Sequence, residues 1–290
     1  MNFTKMHGTG NDFVVIESDD MACDWSQLAL EMCDRHYGIG ADGILLLLPS
    51  DVADFRMRIF NADGSESNIC GNGLRCVVKY FVDRHLTDAA VKEISVETLA
   101  GVRTASVYQV DGKVSRVKIG MGKPGFEAKD IPVNLDSENG EIADVKSMIA
   151  SSLTVDGYEL QLGMVSMGNP HAVHFYREPV SGFPLAQLGP KIEYHKVFPN
   201  RTNFEVVRVL DRQQIEARVW ERGVGETLAC GSGACAITVA ARQYGYIDDK
   251  VDIKLPGGIL ELEWDGVGEV FLSGLAEVVF EGQWPDESLC

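Results

Sequence analysis

Long hydrophobic runs are missing from this chain of 290 residues. The longest strongly apolar stretch, ILLLLP at 44–49, is far too short to cross a bilayer, which takes roughly 20 apolar residues in a helix. Basic charge is scarce as well. Lys and Arg number 26 against 43 Asp and Glu, for a net charge of −17. A field of that sign opposes non-specific binding to nucleic acid or to an anionic membrane surface. It leaves a small anionic substrate open, because a few local basic groups override the net field. Cysteines are few and odd in number, seven, and none form a C-x-x-C pair. Zinc-finger spacing, H-E-x-x-H and G-x-x-x-x-G-K-[ST] are all absent, so neither a metal nor a nucleotide site is expected from motif. GTGNDF at 8–13 lacks the third glycine of a dinucleotide fingerprint. The opening stretch MNFTKMHGTGNDF holds no apolar core of signal-peptide length. The expectation is a cytoplasmic protein with mostly reduced thiols.

What is present is an ordinary globular balance, 45% hydrophobic and 24% charged, long enough for two domains. The chain also resembles itself. CGNGLRC at 70–76 is matched by CGSGAC at 230–235, an offset of 160. At the same offset Glu66 meets Glu226, Asn61 meets Glu221, Phe60 meets Trp220 and Arg58 meets Arg218. DFRMRIF (54–60) faces QIEARVW (214–220), and both alternate with the period of a strand. ILLLL (44–48) faces FEVVR (204–208). At an offset of 158, Gly10-Asn11 pairs with Gly168-Asn169, each leading into a β-rich run. Several matches in order at nearly one offset imply duplicated halves.

The coarse elements read as α+β: two pseudo-symmetric halves, each a sheet or barrel wrapped around a central buried helix, with the active site in a cleft between them. Helices are expected at 25–36, 74–86, about 144–151 and 232–244. The last begins ACAITVAA, apolar on every side, the mark of a buried helix. KPGFEAKDIPVN (123–134) reads as a linker, and AEVVFEG (276–282) as a strand returning to the first half. The halves are drawn as 1–121 plus 273–290, and 122–272.

Cys70 and Cys230 each stand at the mouth of an expected helix. The first N–H groups of a helix lack internal partners and carry partial positive charge. A thiol there is expected to have a lowered pKa. The glycines that follow let the backbone approach an anion closely. Two such turns facing one ligand offer a sulfur base on each side and an N–H clamp for a carboxylate. That suits inversion of a carbon bearing a proton next to a carboxylate, with no cofactor and no metal required. The plainer reading, a small buried hydrophobe, is the one taken for Cys76, Cys235, Cys23, Cys33 and Cys290. A thiol-redox or binding protein, with Cys70 and Cys230 as a regulatory disulfide, is the competing class.

These residues resemble the diaminopimelate epimerase family. MHGTGNDFVVI (6–16), RIFNADGSESNICGNGLRC (58–76), SMGNPHAV (166–173) and ERGVGETLACGSGACA (221–236) are similar to its four signature blocks, in its order. The resemblance implies a pyridoxal-independent isomerase that interconverts LL- and meso-diaminopimelate for lysine and peptidoglycan synthesis. It implies Cys70 and Cys230 as the two bases. It assigns the reacting carboxylate to the N–H groups of Gly71, Asn72, Gly231 and Ser232. It assigns the distal end of the substrate to Asn11, Asn61, Asn169, Asn203 and Arg222, and gives His171 and Glu221 roles in thiol protonation and in orienting the ammonium. The physical reading agrees in kind: Arg grips a carboxylate with two bonds, and Asn donates and accepts without charge. Gly43 departs from members that carry Gln there, so a contact at that position is not carried over. A related two-cysteine epimerase acting on proline, hydroxyproline or histidine is the alternative. The expected partner is a small zwitterionic amino acid, with neither nucleic acid nor membrane, and the resemblance points to a homodimer.

Overall fold

The computed structural model describes residues 1–19, 23–85, 92–127, 129–134, 142–145 and 148–285. It divides into two compact units, Met1–Gly120 with Ser273–Cys290, and Met121–Leu272.

In the first unit β1 (Asn2–Gly8) and β2 (Asn11–Glu17) make a hairpin. Its turn places Thr9 and Gly10 at φ 57° and 81°. Helix α1 (Trp25–Cys33) follows, capped by Asp24, whose carboxylate accepts the Gln27 N–H at 3.0 Å. Strand β3 (Gly43–Leu48) lies parallel to β2, and β4 (Phe55–Asn61) antiparallel to β3. The short β5 (Glu66–Ser67) folds back on β4. Helix α2 (Gly71–His85) comes next. Strand β6 (Glu93–Thr98) is parallel to β4 and leads into the meander of β7 (Gly101–Val110) and β8 (Lys113–Gly120).

The second unit repeats this plan. Strands β9 (Ile142–Val145), β10 (Met148–Val155), β11 (Tyr158–Ser166) and β12 (Pro170–Phe175) form an antiparallel run. After α3 (Leu185–Glu193), β13 (Asn203–Val209) lies parallel to β12. Then β14 (Gln214–Glu221) and the short β15 (Gly225–Thr227) fold back antiparallel, as β4 and β5 do. Helix α4 (Gly231–Gln243) follows. Strand β16 (Lys250–Leu255) is parallel to β14 and pairs antiparallel with β17 (Gly258–Glu263). The chain leaves this unit along β18 (Phe271–Gly274). Strand β19 (Glu277–Gln283) then pairs antiparallel with β1 in the first unit.

The duplication extends to side chains. Arg58 grips Glu66 with two hydrogen bonds of 2.6 and 3.0 Å, and Arg218 grips Glu226 with two of 2.8 and 3.0 Å. Each bridge ties the long strand to the short one that delivers the chain to its helix. Both helices are central. α2 packs on β1 to β4 and β8, and α4 on β11, β12, β13 and β17. Leu74, Cys76, Val77 and Val78 in α2, and Ala234 to Ile237 in α4, have no exposed surface. Each wholly buried Val, Leu or Ile contributes about 1.5–3 kcal/mol, so both helices are held by packing on all sides.

Three expectations need correction. Within 144–151 the described residues are not helical; 144–145 fall in β9 and 148–151 in β10, and 146–147 lie outside the described residues. The deciding feature is Asp156-Gly157, at φ 52° and 82°, a two-residue hairpin turn that pairs Val155 with Tyr158 and sets β10 on β11. Segment 123–134 is not a free linker. Gly125 and Ser166 exchange backbone bonds of 2.8 and 2.9 Å, and Ile131 is buried in the core of the second unit. Helix α3 was not expected, because Pro190 interrupts its pattern, although Leu185, Leu188 and Ile192 keep helical spacing and are buried.

Gly189 in α3 lies flat against Trp220, and a Cβ there would sit 2.4 Å from the ring. Gly189→Ala therefore costs about 1–3 kcal/mol by overpacking. A thermal melt should show Tm lowered by several degrees, and an unchanged Tm would mean that the indole moves aside freely.

Candidate active site

In the first unit Cys70 precedes α2, and its carbonyl accepts the Leu74 N–H at 2.8 Å, so it caps the helix. The thiol is half-buried and donates to Asn11 Oδ1 at 3.7 Å. Asn72 Nδ2 donates to the same oxygen at 3.2 Å. The other end of the Asn11 amide is fixed by Asp42, which accepts from Nδ2 at 2.6 Å. Its Nδ2 thus faces a carboxylate, and its Oδ1 faces the thiol.

Asp42 belongs to a charged network that sequence reasoning missed. Arg35 bridges Asp42 and Asp12, each at 2.7 Å, and Lys5 reaches Asp12 at 2.5 Å as well as the Gly40 carbonyl. Burial would lift the Asp12 carboxyl, but hydrogen bonds from Arg35 and Lys5 outweigh it and hold the group at about 2. Asn61 stands apart from this set, its amide donating to Ser65 and Ser67 at 2.9 and 3.0 Å. Gly43 pairs with Asn61 across β3 and β4, and a Cβ there would lie 2.6 Å from the Phe60 carbonyl. In this chain the close strand pairing leaves no room for a side chain at Gly43 without a shift of the backbone.

In the second unit Cys230 caps α4 directly. Its Sγ accepts the Gly233 N–H at 3.3 Å and lies 3.5 Å from Ser232 Oγ. Asn169 Nδ2 donates to Ser232 Oγ at 3.4 Å, and Asn169 Oδ1 lies 3.0 Å from His171 Nε2. His171 Nδ1 lies 2.6 Å from Glu205 Oε1, both side chains being wholly buried. Asn203 accepts the Arg222 N–H at 2.9 Å and donates to the Pro170 carbonyl at 2.8 Å. The Arg222 guanidinium donates to the Asn200 carbonyl at 3.1 Å, and Glu221 accepts from Thr227 at 2.5 Å. Glu193, also missed from sequence, accepts the Gly223 N–H and the Trp220 indole N–H, at 2.9 and 2.8 Å, and so braces the 221–223 turn.

The Cys230 thiol is pushed well above its ordinary value. Burial is the main cause and the Glu221 carboxylate the next, with Glu205 adding to them. The hydrogen bonds from Ser232 and Gly233 act the other way and lose. This corrects the expectation of a lowered pKa: at Cys230 desolvation and two carboxylates outweigh the helix N-terminus. Cys76 and Cys33 are also raised by burial, each to about 12, as inert core thiols are. Cys235 is wholly buried, and Cys23 is disulfide-bonded, a departure from the reading of it as a plain hydrophobe. Cys290 lies outside the described residues. Among the described residues, no group of three or more His, Cys, Asp or Glu is arranged to hold a metal ion. No described helix is long and apolar enough to cross a membrane.

The diaminopimelate epimerase family profile matches residues 3–127 and 163–279. The chain belongs to the diaminopimelate epimerase family. The diaminopimelate epimerase of Acetivibrio thermocellus is 47% identical over 285 residues, covering 98% of each chain. That of Methanococcus maripaludis strain S2 is 44% identical over 285 residues, covering 98% of this chain and 99% of its own. Among solved structures, a hydroxyproline epimerase from Agrobacterium vitis matches with a TM-score of 0.69 at 14% identity, over 97% of this chain and 91% of its own. A PhzF-family protein from Bacillus anthracis gives the same TM-score at 17% identity, over 97% and 98%. At those identities the likeness is of fold alone. The family profile passes over residues 128–162, where β9 and β10 lie.

The low value at Asp12 fixes a pH window. Its carboxylate stabilises the fold above the unfolded value of 3.8, and that contribution is lost as pH falls through about 2. Asp12→Asn should therefore cost on the order of 1 kcal/mol at neutral pH, discounted for partial exposure. Paired melts should converge as pH drops from about 4 toward 2. A gap independent of pH would show that the network does not carry this stability.

Proposed function

We propose that the chain works by two sulfur bases, Cys70 and Cys230. It epimerises LL-diaminopimelate to meso-diaminopimelate, the isomerase reaction of its family and a step toward lysine. The observation that carries the mechanism is the pair of helix-capping cysteines, each with its own hydrogen-bonded set of polar side chains. Cys230, with its raised value, rests as the thiol and is the proton donor. Cys70, half-buried beside Asn11 and Asn72, is the base for the first transfer.

In the forward step the Cys70 thiolate takes the α-proton, and the electron pair delocalises into the α-carboxylate. The N–H groups of Gly71, Asn72, Gly231 and Ser232 stabilise that charge. The Cys230 S–H then delivers its proton to the opposite face of the carbon. Cys70 ends as thiol and Cys230 as thiolate, so atoms and charge balance, and the reverse reaction uses the opposite roles. Both transfers are made by sulfur, and the chemistry calls for no cofactor. Arg222, Asn203, Asn169, Asn61 and Asn11 are assigned to the distal amino-acid end. Glu221 and His171 are assigned to ammonium orientation and thiol protonation. The same reading expects a cytoplasmic homodimer whose partner is a small zwitterionic amino acid.

Incubation of reduced protein with LL-diaminopimelate in D2O should give meso product carrying α-deuterium. Absence of both would sink the reading. Cys70→Ser and Cys230→Ser should each lower kcat by about 100-fold or more, since a hydroxyl is a far weaker acid than a thiol. Near wild-type turnover in either variant would rule out two sulfur bases. Arg222→Ala should raise KM for diaminopimelate more than it lowers kcat, because it removes a binding contact remote from the reacting carbon.

A further inference from the structure

Glu205 has no part in the chemistry described so far. It is the third residue of β13, and strand alternation divides its neighbours cleanly. Phe204 and Val206 enter the apolar core of the second unit, while Asn203 and Glu205 share the opposite face. Asn203 is the ladder partner of His171 across β12 and β13. The polar face of the strand is thus the one that carries the site residues.

The Glu205 side chain is wholly buried, and burying a carboxylate costs several kcal/mol unless it is paired. The pairing is with His171 Nδ1 at 2.6 Å through Oε1, and Oε2 has no hydrogen-bond partner among the described residues. A leucine or glutamine would fill this place at less electrostatic cost, so the carboxylate is not explained by packing. From His171 a continuous chain runs on. Nε2 meets Asn169 at 3.0 Å, Asn169 donates to Ser232 at 3.4 Å, and Ser232 meets the Cys230 sulfur at 3.5 Å. The two ends of the chain lie close together. A Cβ placed on Gly233 would stand 3.1 Å from Glu205 Oε1 and 3.4 Å from Cys230 Sγ. Gly233 is therefore the spacer that lets the carboxylate approach the thiol.

We propose that Glu205 is a positioning residue for proton transfer at Cys230: it locks His171 through Nδ1 and, by way of Asn169 and Ser232, orients the donors that face the sulfur. This rests on Cys230 being one of the two bases. The carboxylate accepts from Nδ1–H and Asn169 Oδ1 accepts from Nε2–H, and together these bonds fix the ring's orientation. Its buried negative charge also favours the thiol over the thiolate at Cys230 while the enzyme rests.

Glu205→Gln tests this, because it preserves volume and one acceptor while removing the charge. The variant should melt within a few degrees of wild type. Its kcat should fall by on the order of 10- to 100-fold, as losses of groups that orient a functional side chain do, with KM changed less than about threefold. In substrate-free, 15N-histidine-labelled protein, the downfield Nδ1–H proton of His171, assigned by its loss in His171→Asn, should be present in wild type and absent in Glu205→Gln. A Glu205→Gln variant with kcat within about twofold of wild type, or with the Nδ1–H resonance intact, overturns the proposal. If wild-type protein neither exchanges nor epimerises LL-diaminopimelate, the proposed function fails instead, and the resonance still decides whether Glu205 holds His171.

Discussion

Everything at both candidate sites depends on the burial of two helix starts. A helix wrapped by strands on all sides cannot satisfy its first N–H groups with water. Those donors must meet a protein atom or a ligand. In α4 the Cys230 sulfur takes one of them, from Gly233. In α2 the corresponding turn is pressed so closely on β3 that a Cβ on Gly73 would lie 2.9 Å from Leu45. Gly73 and Gly233 are each crowded by neighbours, Leu45 in one turn and Glu205 with Cys230 in the other, so both turns keep a bare backbone at these positions.

Such burial has an electrostatic consequence that helix polarity alone does not predict. The partial positive charge at a helix N-terminus is modest, worth about 0.3–1 kcal/mol at exposed sites. Loss of hydration around a fully enclosed thiol is larger and of opposite sign. Cys230 therefore holds its proton, whereas an exposed cap cysteine would release it. The first unit handles charge differently. There the carboxylates of Asp12 and Asp42 are neutralised by Lys5 and Arg35, and the thiol meets the neutral amide of Asn11, which also accepts from Asn72. Two equivalent cysteines thus stand in unlike electrostatic surroundings, built on equivalent backbones.

The repeat was legible because its signals are local. Arg58 with Glu66, and Arg218 with Glu226, sit at the same spacing in both halves and make the same bidentate bridge. The Gly-rich turns and the apolar helix after Cys230 were equally readable. Where the sequence misled, a short-range signal hid a longer-range one. Pro190 masked α3, which packs its Gly189 against Trp220 some thirty residues away. The helix expected at about 144–151 gives way to strands, and the Asp156-Gly157 turn sets β10 on β11. The missed polar residues share one property: their roles come from pairing across elements. Asp42 matters through Asn11, Glu193 through the 221–223 turn, and Glu205 through His171. Each looks in sequence like an ordinary acidic residue beside a strand or at a helix end.

The closing of the first sheet by β19 bears on how the molecule is made. Met1 and Trp284 exchange both backbone hydrogen bonds at 2.8 Å, and β1 is flanked by β2 on one side and β19 on the other. As the chain leaves the ribosome, the second unit is contiguous and can complete its pairings early. The first unit begins sooner but must wait with one side of β1 unpaired until the last strand appears, a delay set by more than 260 residues of synthesis. During that interval Met6 and Phe13 stand beside an open strand edge, the kind of surface that recruits other chains. The half of the protein that is started first is the half that is finished last.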